Sequence, residues 1–265
     1  MQIEINTFIQ VNLKKLTNKT FSKKYISQYI TPIIKNINNS EHKKFIIAGS
    51  QGAGKSTLAK LFKLVLENRY KKKVMLLSID DYYLSKNKRK KLSKKIHPLL
   101  STRGVPGTHD IVALKNDIIN FQTKNFPITT PIFNKLKDDT SIKKKIIKNA
   151  EILLLEGWCC GTPSINTKYL FQNINRVETL LDKNKKWRQY YNSQLKMNYK
   201  KVFSLFDQQI YIEPPSFNYV LKWRYAQEKN NALKSRNKDF MNKKELQTFI
   251  QHYEKLTRWM MKIMP

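Results

Sequence analysis

The chain has 265 residues, which is enough for one domain with a large buried core. Hydrophobic residues make up 40% of it and aromatic residues 11%, so a wholly disordered chain is excluded. The formal net charge of +32 would usually indicate a nucleic acid or an anionic membrane as partner. Only eight of the 51 basic residues are Arg, however, and a phosphate-binding surface favours the bidentate Arg side chain. The Lys excess accompanies abundant Asn and Ile, which share A/T-rich codons, and we therefore expect no nucleic-acid and no membrane partner.

The two cysteines and the first residues bear on the compartment. Cys159 and Cys160 are adjacent and cannot form a disulfide framework, and no Cys/His spacing typical of a metal site occurs. The first ten residues contain Glu4 and lack a basic stretch followed by an apolar one. No stretch approaches the roughly 18 apolar residues of a membrane span. We expect a cytoplasmic protein in a reducing compartment.

Residues 1–43 differ in pattern from the rest of the chain. Their apolar positions recur at helical spacing, as in Phe21, Tyr25, Tyr29 and Ile33. Pro32 interrupts this pattern. We predict one or two helices that lie on a main domain over residues 44–265 and carry no chemistry of their own.

From Lys44 onward, short apolar runs alternate with helical ones. Apolar runs without polar alternation are typical of strands buried on both faces, and their alternation with helices indicates parallel crossover connections. We predict an α/β fold with a doubly wound, mostly parallel sheet flanked by helices. The predicted strands are Phe45–Ala48, Val74–Ser78, Ile152–Leu155 and Ile210–Ile212, with a helix over Lys55–Tyr70.

Two charged stretches lie between these elements. They are Lys86–Lys95 and Lys135–Lys148, and both are rich in Lys with weak apolar periodicity. Such a composition is typical of solvated loops or exposed helix faces. No repeat and no Gly/Ser linker divides the chain, so we predict no further domain.

A phosphate-binding loop follows the first predicted strand. The sequence matches G-x-x-x-x-G-K-[ST] between an apolar strand and a helix, which is where a nucleotide-binding P-loop belongs. Backbone N–H groups and the helix N-terminus would hold the phosphates of ATP. Lys55 would bridge the β- and γ-phosphates, and Ser56 would bind Mg²⁺. The predicted ATP-binding residues are Gly49, Ser50, Gln51, Gly52, Ala53, Gly54, Lys55, Ser56 and Thr57.

Carboxylates follow two of the predicted strands. Asp80 and Asp81 come directly after the second strand, and Glu156 follows the apolar run Ile152–Leu155. Ligands of open parallel sheets bind at the carboxyl ends of the strands. A kinase needs an acid there to orient the acceptor hydroxyl, and Mg²⁺ needs one or two carboxylates. We therefore predict a metal site from Ser56 with Asp80 and Glu156 as its carboxylates.

Several motifs in one order resemble the glycerate kinase-like branch of the P-loop kinases, relatives of uridine kinase, phosphoribulokinase and bacterial pantothenate kinase. The match runs from Lys44 to the end of the chain. The motifs are the P-loop, SIDDYYL at Ser78–Leu84, RGVPGTHD at Arg103–Asp110, LEGWCCG at Leu155–Gly161, the segment Ile212–Glu228 and the tail His252–Met260. The resemblance implies a P-loop kinase fold with ATP and Mg²⁺ as cofactors.

The resemblance also implies residue roles. Asp80 corresponds to the catalytic base of related sugar and nucleoside kinases, with Asp81 as the nearest substitute. A lid arginine, Arg224 or Arg236, would neutralise charge in the transition state; Arg224 could equally be an exposed helix residue. The implied acceptor-binding residues are Asp81, Tyr83, Arg103, His109, Asp110 and Lys135.

Two departures from the family pattern concern the acceptor. Asn134 replaces an acidic residue in the segment Pro131–Lys135, and the lid stretch Lys234–Phe240 lacks a glycine. The resemblance implies transfer of the γ-phosphoryl group of ATP to the 3-hydroxyl of D-glycerate, a small hydroxy acid. A kinase of pantothenate or a nucleoside, an ATP-dependent nucleic-acid-binding protein, and an ATP-binding protein without turnover stay as alternatives. The sequence leaves the oligomeric state open.

Overall fold

The N-terminal part of the chain is helical. A computed structural model describes residues 2–235 and 243–264. Helix α1 spans Gln2–Thr17. A second helical run begins as α2 (Lys23–Tyr25), passes through a π-helical turn and ends as α3 (Thr31–Asn39). Pro32 lies in the first turn of α3, directly after the π-helical turn Ile26–Ile30, so the regular α-helical pattern is broken next to it while the helical run continues.

The buried face of this helical run differs from the predicted one. Tyr25 and Tyr29 are 44% and 54% exposed, so the predicted apolar stripe is wrong there. The buried stripe is shifted along the helix and consists of Ile26, Ile30, Ile34 and Ile37. Isoleucine side chains have no polar atom, whereas tyrosine can pack its ring along the surface with the hydroxyl toward water; here the two tyrosine rings contact each other with centroids 5.2 Å apart.

The rest of the chain alternates strands and helices. The strands are β1 (Lys44–Gly49), β2 (Val74–Ser78), β3 (Ile128–Thr130), β4 (Phe133–Asn134), β5 (Asp139–Thr140), β6 (Lys145–Ile147), β7 (Ile152–Gly157) and β8 (Gln208–Ile212). The helices are α4 (Lys55–Arg69), α5 (Lys86–Lys95), α6 (Ile111–Gln122), α7 (Thr167–Phe171), α8 (Lys186–Gln194), α9 (Lys200–Phe203), α10 (Phe217–Ser235) and α11 (Lys243–Ile263). Short 3₁₀ or π turns cover Ile79–Tyr82, Pro98–Ser101, Val177–Leu181 and Leu195–Tyr199.

The central sheet has the order β2-β7-β1-β8, and every neighbouring pair in it is parallel. Alternate residues of β1 enter two different cores. Phe45 and Ile47 pack with α1, α3 and α4, while Ile46 and Ala48 pack with α6, α8 and α11. Because helices cover both faces, β1, β2 and β7 are apolar on both sides, whereas the edge strand β8 begins with Gln208 and Gln209. The predicted doubly wound α/β fold is confirmed. The division at residue 44 stays a prediction.

The two charged stretches form an exposed helix and a small antiparallel region. Helix α5 covers the first stretch, and the second contains β5 and β6, which pair antiparallel with β4 and β3 just before it. Their lysines are mostly exposed, as predicted, but Arg89 on α5 is 1% exposed and binds Asp138 of the second stretch. Among the described residues, no helix combines the length and apolarity needed to cross a bilayer.

Candidate active site

The P-loop connects the end of β1 to the start of α4. Gly52 and Gly54 have φ angles of 79° and 90°, which residues with a side chain rarely adopt. A Cβ on Gly52 would lie 2.7 Å from Cβ of Trp223 and 3.2 Å from the backbone N of Arg224. Glycine therefore lets the loop turn inward, and it lets helix α10 pack directly against the loop.

Polar atoms of the loop face one another. The Lys55 ammonium donates to the carbonyl oxygen of Ser50 at 2.8 Å, and the Ser56 hydroxyl donates to Oε1 of Glu156 at 3.0 Å. Burial lowers the pKa of Lys55, and the Glu156 and Asp80 carboxylates oppose that change. The hydroxyl of Ser50 and Oε1 of Gln51 are buried without a hydrogen-bond partner among the described residues. The loop therefore contains buried polar groups that its own hydrogen bonds do not satisfy.

Asp80 lies in the turn that follows β2. Its carboxylate accepts a 2.9 Å hydrogen bond from the Tyr83 hydroxyl and a 2.6 Å hydrogen bond from the Lys135 ammonium. Burial alone would raise its pKa, but Lys135, Tyr83 and the nearby His109 together outweigh burial and hold the pKa below its usual value. Asp80 is therefore a carboxylate at neutral pH.

Two other predicted acids contact backbone amides. Asp81 accepts a 3.1 Å hydrogen bond from the N–H of Phe133 and thereby anchors β4. Burial raises its pKa. Asp110 caps the N-terminus of α6 by accepting from the N–H of Ala113 at 3.0 Å. Both carboxylates support local structure, and their role in acceptor binding stays a prediction.

Arg103 shares a carboxylate with a buried arginine. Its guanidinium is paired with Oδ1 of Asp138, and the guanidinium of Arg89 donates to Oδ2 of Asp138 at 2.8 Å. Both guanidinium groups lie against the Phe133 ring, at 5.5 Å for Arg103 and 5.9 Å for Arg89. The hydroxyl of Tyr253 on α11 donates to the carbonyl oxygen of Arg103 at 2.7 Å. Asp138 therefore fixes the guanidinium of Arg103, and Tyr253 fixes its backbone.

His109 is 5% exposed and packs against Tyr83, which contacts the Phe133 ring. Its ring stacks on Tyr83 with centroids 4.5 Å apart, and its Nδ1 lies 2.6 Å from the hydroxyl of Tyr199. Nε2 is buried and has no hydrogen-bond partner among the described residues. Burial lowers the pKa of His109 to about 4, although the Asp80 charge raises it. His109 is therefore neutral at physiological pH.

Arg224, on α10, adjoins the P-loop through its backbone. Its guanidinium forms an ion pair with Glu228 at 3.1 Å and lies 5.7 Å from the Phe249 ring centroid. The side chain is 15% exposed, so it is not the solvent-exposed helix residue of the alternative interpretation. Its catalytic role stays a prediction. Arg236 lies outside the described residues.

Several residues of this region were not singled out from the sequence. Arg89 is the only arginine in a Lys-rich stretch, and that contrast is the one signal that could have found it. Asp138 and Tyr199 lie in segments without a motif of their own. Tyr253 lies in the tail motif His252–Met260, but it is 150 residues away from Arg103, which it contacts. Only the folded chain brings them to Arg103 and His109.

Comparison with known proteins agrees with the P-loop geometry, although no family model matches the chain. The chloroplastic D-glycerate 3-kinase of Arabidopsis thaliana is 26% identical over 215 residues, which cover 77% of this chain and 44% of that protein. The protein called Uncharacterized kinase mug58, from Schizosaccharomyces pombe, is 30% identical over 224 residues, which cover 78% of this chain and 76% of the relative. The chain belongs to the glycerate kinase-like family of P-loop kinases.

A solved structure shows the same fold as this kinase. The D-glycerate 3-kinase of Cryptococcus neoformans superimposes with a TM-score of 0.71 at 23% identity, covering 97% of this chain and 87% of that chain. This likeness agrees with the fold, and the relatives that are called kinases confirm the family resemblance seen in the motifs: the chain belongs to a family of ATP-dependent kinases.

The departure at Asn134 has a structural explanation in this kinase. Oδ1 of Asn134 accepts hydrogen bonds from the N–H groups of Leu136 and Lys137, both at 3.1 Å, and closes the turn between β4 and β5. That turn carries Lys135 and Asp138. A carboxylate oxygen can accept the same two bonds, so Asn and the family's acidic residue serve the same local structure.

The oxygen atoms near Lys55 fit the Mg²⁺ that P-loop kinases generally use. Ser56 and Glu156 are hydrogen-bonded to each other. The negative charges of Asp80 and Glu156 both raise the pKa of the Lys55 ammonium. In the described part of the chain, no group of three or more His, Cys, Asp or Glu side chains is placed to hold a metal ion. Mg²⁺ takes few carboxylates and completes its shell with phosphates and water, so this donor set suits it.

Proposed function

We propose that this kinase transfers the γ-phosphoryl group of ATP to the 3-hydroxyl of D-glycerate. The observation that supports this most is the group of charges around the Phe133 ring. Asp80 is bonded to Tyr83 and Lys135, and Tyr83 and Arg103 both contact that ring. An acceptor with a carboxylate and a neighbouring hydroxyl would meet two cations for the former and one carboxylate for the latter.

ATP binds in this proposal at the P-loop. The loop N–H groups and Lys55 hold its phosphates, and the unpartnered Ser50 and Gln51 side chains gain polar partners there. Ser56 and Glu156, together with Asp80, would hold Mg²⁺, which would supply positive charge to the phosphates during transfer. The backbone of Arg224 adjoins the loop, which supports Arg224 as the arginine that neutralises charge on the transferred group.

Asp80 orients the acceptor hydroxyl. Because phosphoryl transfer usually passes through a loose transition state, the acceptor needs positioning more than early removal of its proton. A carboxylate whose pKa is held low suits that task, since it is always ionised at neutral pH. When Lys135 moves from Asp80 to the acceptor carboxylate, Asp80 loses its strongest attraction and becomes a better proton acceptor as the hydroxyl arrives.

A second candidate is pantothenate. The pantothenate kinase of Streptococcus mutans is 29% identical over 243 residues, which cover 78% of this chain and 74% of that protein. Pantothenate, like glycerate, has a carboxylate and a primary hydroxyl, so Arg103, Lys135 and Asp80 would serve it in the same roles. Uridine has no carboxylate that Arg103 and Lys135 could bind.

The test is ADP release from Mg-ATP with D-glycerate, pantothenate and uridine as separate acceptors. We expect turnover with D-glycerate, and ¹H–³¹P correlation NMR of the product should place the phosphate on the 3-oxygen, which mass alone does not distinguish from the 2-phosphate. Lys55→Ala removes the ammonium that bridges the phosphates and should abolish turnover, while Lys60→Ala, on the exposed side of α4, should not. Turnover with pantothenate alone would select the second candidate. No ADP release with any of the three acceptors, from protein that still binds ATP, would overturn both candidates and indicate an ATP-binding protein without turnover.

A further inference from the structure

Tyr199 lies far from the kinase motifs and contacts one of them. It ends the π turn after α8 and is 0% exposed. Its hydroxyl accepts a 2.8 Å hydrogen bond from the N–H of Gly107 and lies 2.6 Å from Nδ1 of His109. Burial raises its pKa well above the usual range, so the hydroxyl keeps its proton.

The position of that proton follows from counting donors. A tyrosine hydroxyl has a single hydrogen to donate, and Gly107 uses its oxygen as acceptor. The backbone N–H of His109 also reaches this oxygen and is a second donor, so among the described residues Nδ1 of His109 is the only partner that can accept the hydroxyl hydrogen. A neutral imidazole has one donor and one acceptor nitrogen. Nδ1 is therefore the acceptor, and the imidazole proton lies on Nε2.

Nε2–H is then a buried donor without a partner among the described residues. Buried donors are almost always satisfied, and an unsatisfied one points to a group that arrives later. The ring stacks on Tyr83 at 4.5 Å, and the Tyr83 hydroxyl is bonded to Asp80. The free donor belongs to the region in which the acceptor hydroxyl is proposed to lie.

We propose that Tyr199 is a positioning residue that locks His109 in the Nε2–H tautomer, so that His109 donates a hydrogen bond to an oxygen of the acceptor. The second half of this proposal rests on the proposed function. In this tautomer the nitrogen that faces the acceptor carries a hydrogen and cannot take a proton from the hydroxyl. That task stays with Asp80, and His109 binds rather than deprotonates.

Long-range ¹H–¹⁵N correlation spectra of ¹⁵N-histidine-labelled protein at pH 7.5 test the lock directly. The chain has four histidines, and His109→Gln identifies the resonance of interest. We expect Nε2 of His109 to be protonated and Nδ1 to be the acceptor. Tyr199→Phe should shift His109 toward a mixture of tautomers. Tyr190→Phe is the matched control, because its ring packs at Gly107 without a contact between its hydroxyl and His109.

A protonated Nδ1 in the wild-type protein would overturn the lock, as would an unchanged spectrum in folded Tyr199→Phe. The wild-type spectrum decides this even if Tyr199→Phe does not fold. In steady-state kinetics, Tyr199→Phe should raise KM for D-glycerate about fivefold to tenfold and leave KM for ATP unchanged. If Tyr199→Phe and the wild type have the same KM for D-glycerate, the proposed hydrogen bond from His109 to the acceptor is overturned. Wild-type protein with the Nε2–H tautomer and no turnover would support the lock and overturn the proposed function.

Discussion

Lys135 donates a 2.6 Å hydrogen bond to Oδ2 of Asp80, so the residue proposed to orient the acceptor hydroxyl is paired with a residue proposed to bind the acceptor carboxylate. The two come from different segments, the turn after β2 and the turn between β4 and β5. Binding of an anionic acceptor would exchange one partner of Lys135 for another. The pair therefore couples acceptor binding to the proton affinity of Asp80.

Lys135→Met tests this coupling. Removing the ammonium takes away the largest attraction that lowers the Asp80 pKa, so that pKa should rise. We expect the acidic limb of the kcat/KM profile to move to higher pH and KM for D-glycerate to rise about tenfold, for a charged hydrogen bond of ~1.5 kcal/mol. Lys137→Met, in the same turn and exposed, is the control. If both substitutions had equal effects, the role of Lys135 would be that of any positive charge in this turn, and the specific pairing with Asp80 would be contradicted.

Asp80→Asn and Asp81→Asn separate the two adjacent acids. Asp80→Asn keeps the shape and removes the negative charge, and we expect kcat to fall by about 100-fold or more. In Asp81→Asn the amide oxygen can still accept from the N–H of Phe133, so β4 stays anchored and kcat should change little. The measurement is steady-state kinetics at saturating Mg-ATP. A larger loss of kcat in Asp81→Asn would transfer the role of base to Asp81.

Asp138→Asn tests the carboxylate shared by two arginines. It leaves the buried guanidinium of Arg89 without its counterion, and we expect the free energy of unfolding in urea to fall by about 2–3 kcal/mol. Asp138 is about one third exposed, which limits the loss. KM for D-glycerate should also rise, because Arg103 loses its only ion pair among the described residues.

The double variant Arg89→Met with Asp138→Asn separates the two effects. It removes the buried charge together with its partner, so stability should recover in part while KM for D-glycerate stays raised. Recovery of both quantities would show that Asp138 acts on the acceptor site only through stability. Recovery of neither would mean that Arg89 is not the residue that makes the Asp138 substitution costly.

The buried, neutral His109 predicts a pH dependence of stability. Its pKa is about 4 in the folded protein and near 6.5 when exposed, so the unfolded chain binds the proton more tightly. Stability should therefore fall as pH decreases below 6.5, by ~2 kcal/mol at pH 5 from this group. Asp80 is the charged group acting on the ring, and it moderates the effect.

Urea unfolding at pH 7 and pH 5 of wild-type protein and His109→Gln isolates this contribution, because both proteins share every other titrating group. The glutamine variant should lose about 2 kcal/mol less than the wild type between the two pH values. An NMR titration of His109 gives the midpoint directly. A midpoint near 6.5 would contradict burial of a neutral imidazole.

The sequence by itself was sufficient for the features that depend on neighbouring residues. The P-loop lies between β1 and α4, because a glycine-rich turn, a strand and a helix are determined locally. Apolar runs without polar alternation predicted a sheet covered on both faces, and the motif order predicted the kinase family. Periodicity was less exact: it identified a helix near Tyr25 and Tyr29 but chose the wrong face, because a shift of one residue rotates a helix by about 100°.

Only the tertiary structure decided which side chains meet. The order β2-β7-β1-β8 places strands from distant parts of the chain side by side, and no local pattern encodes that order. Tyr199 reaches His109 across 90 residues and Tyr253 reaches Arg103 across 150. Such contacts arise when whole helices and strands pack together. In the unfolded chain each of these side chains could pair with many others, and only the folded core selects one partner. The motifs therefore predicted the acids and the P-loop, whereas only the tertiary structure identifies the residues that orient the site.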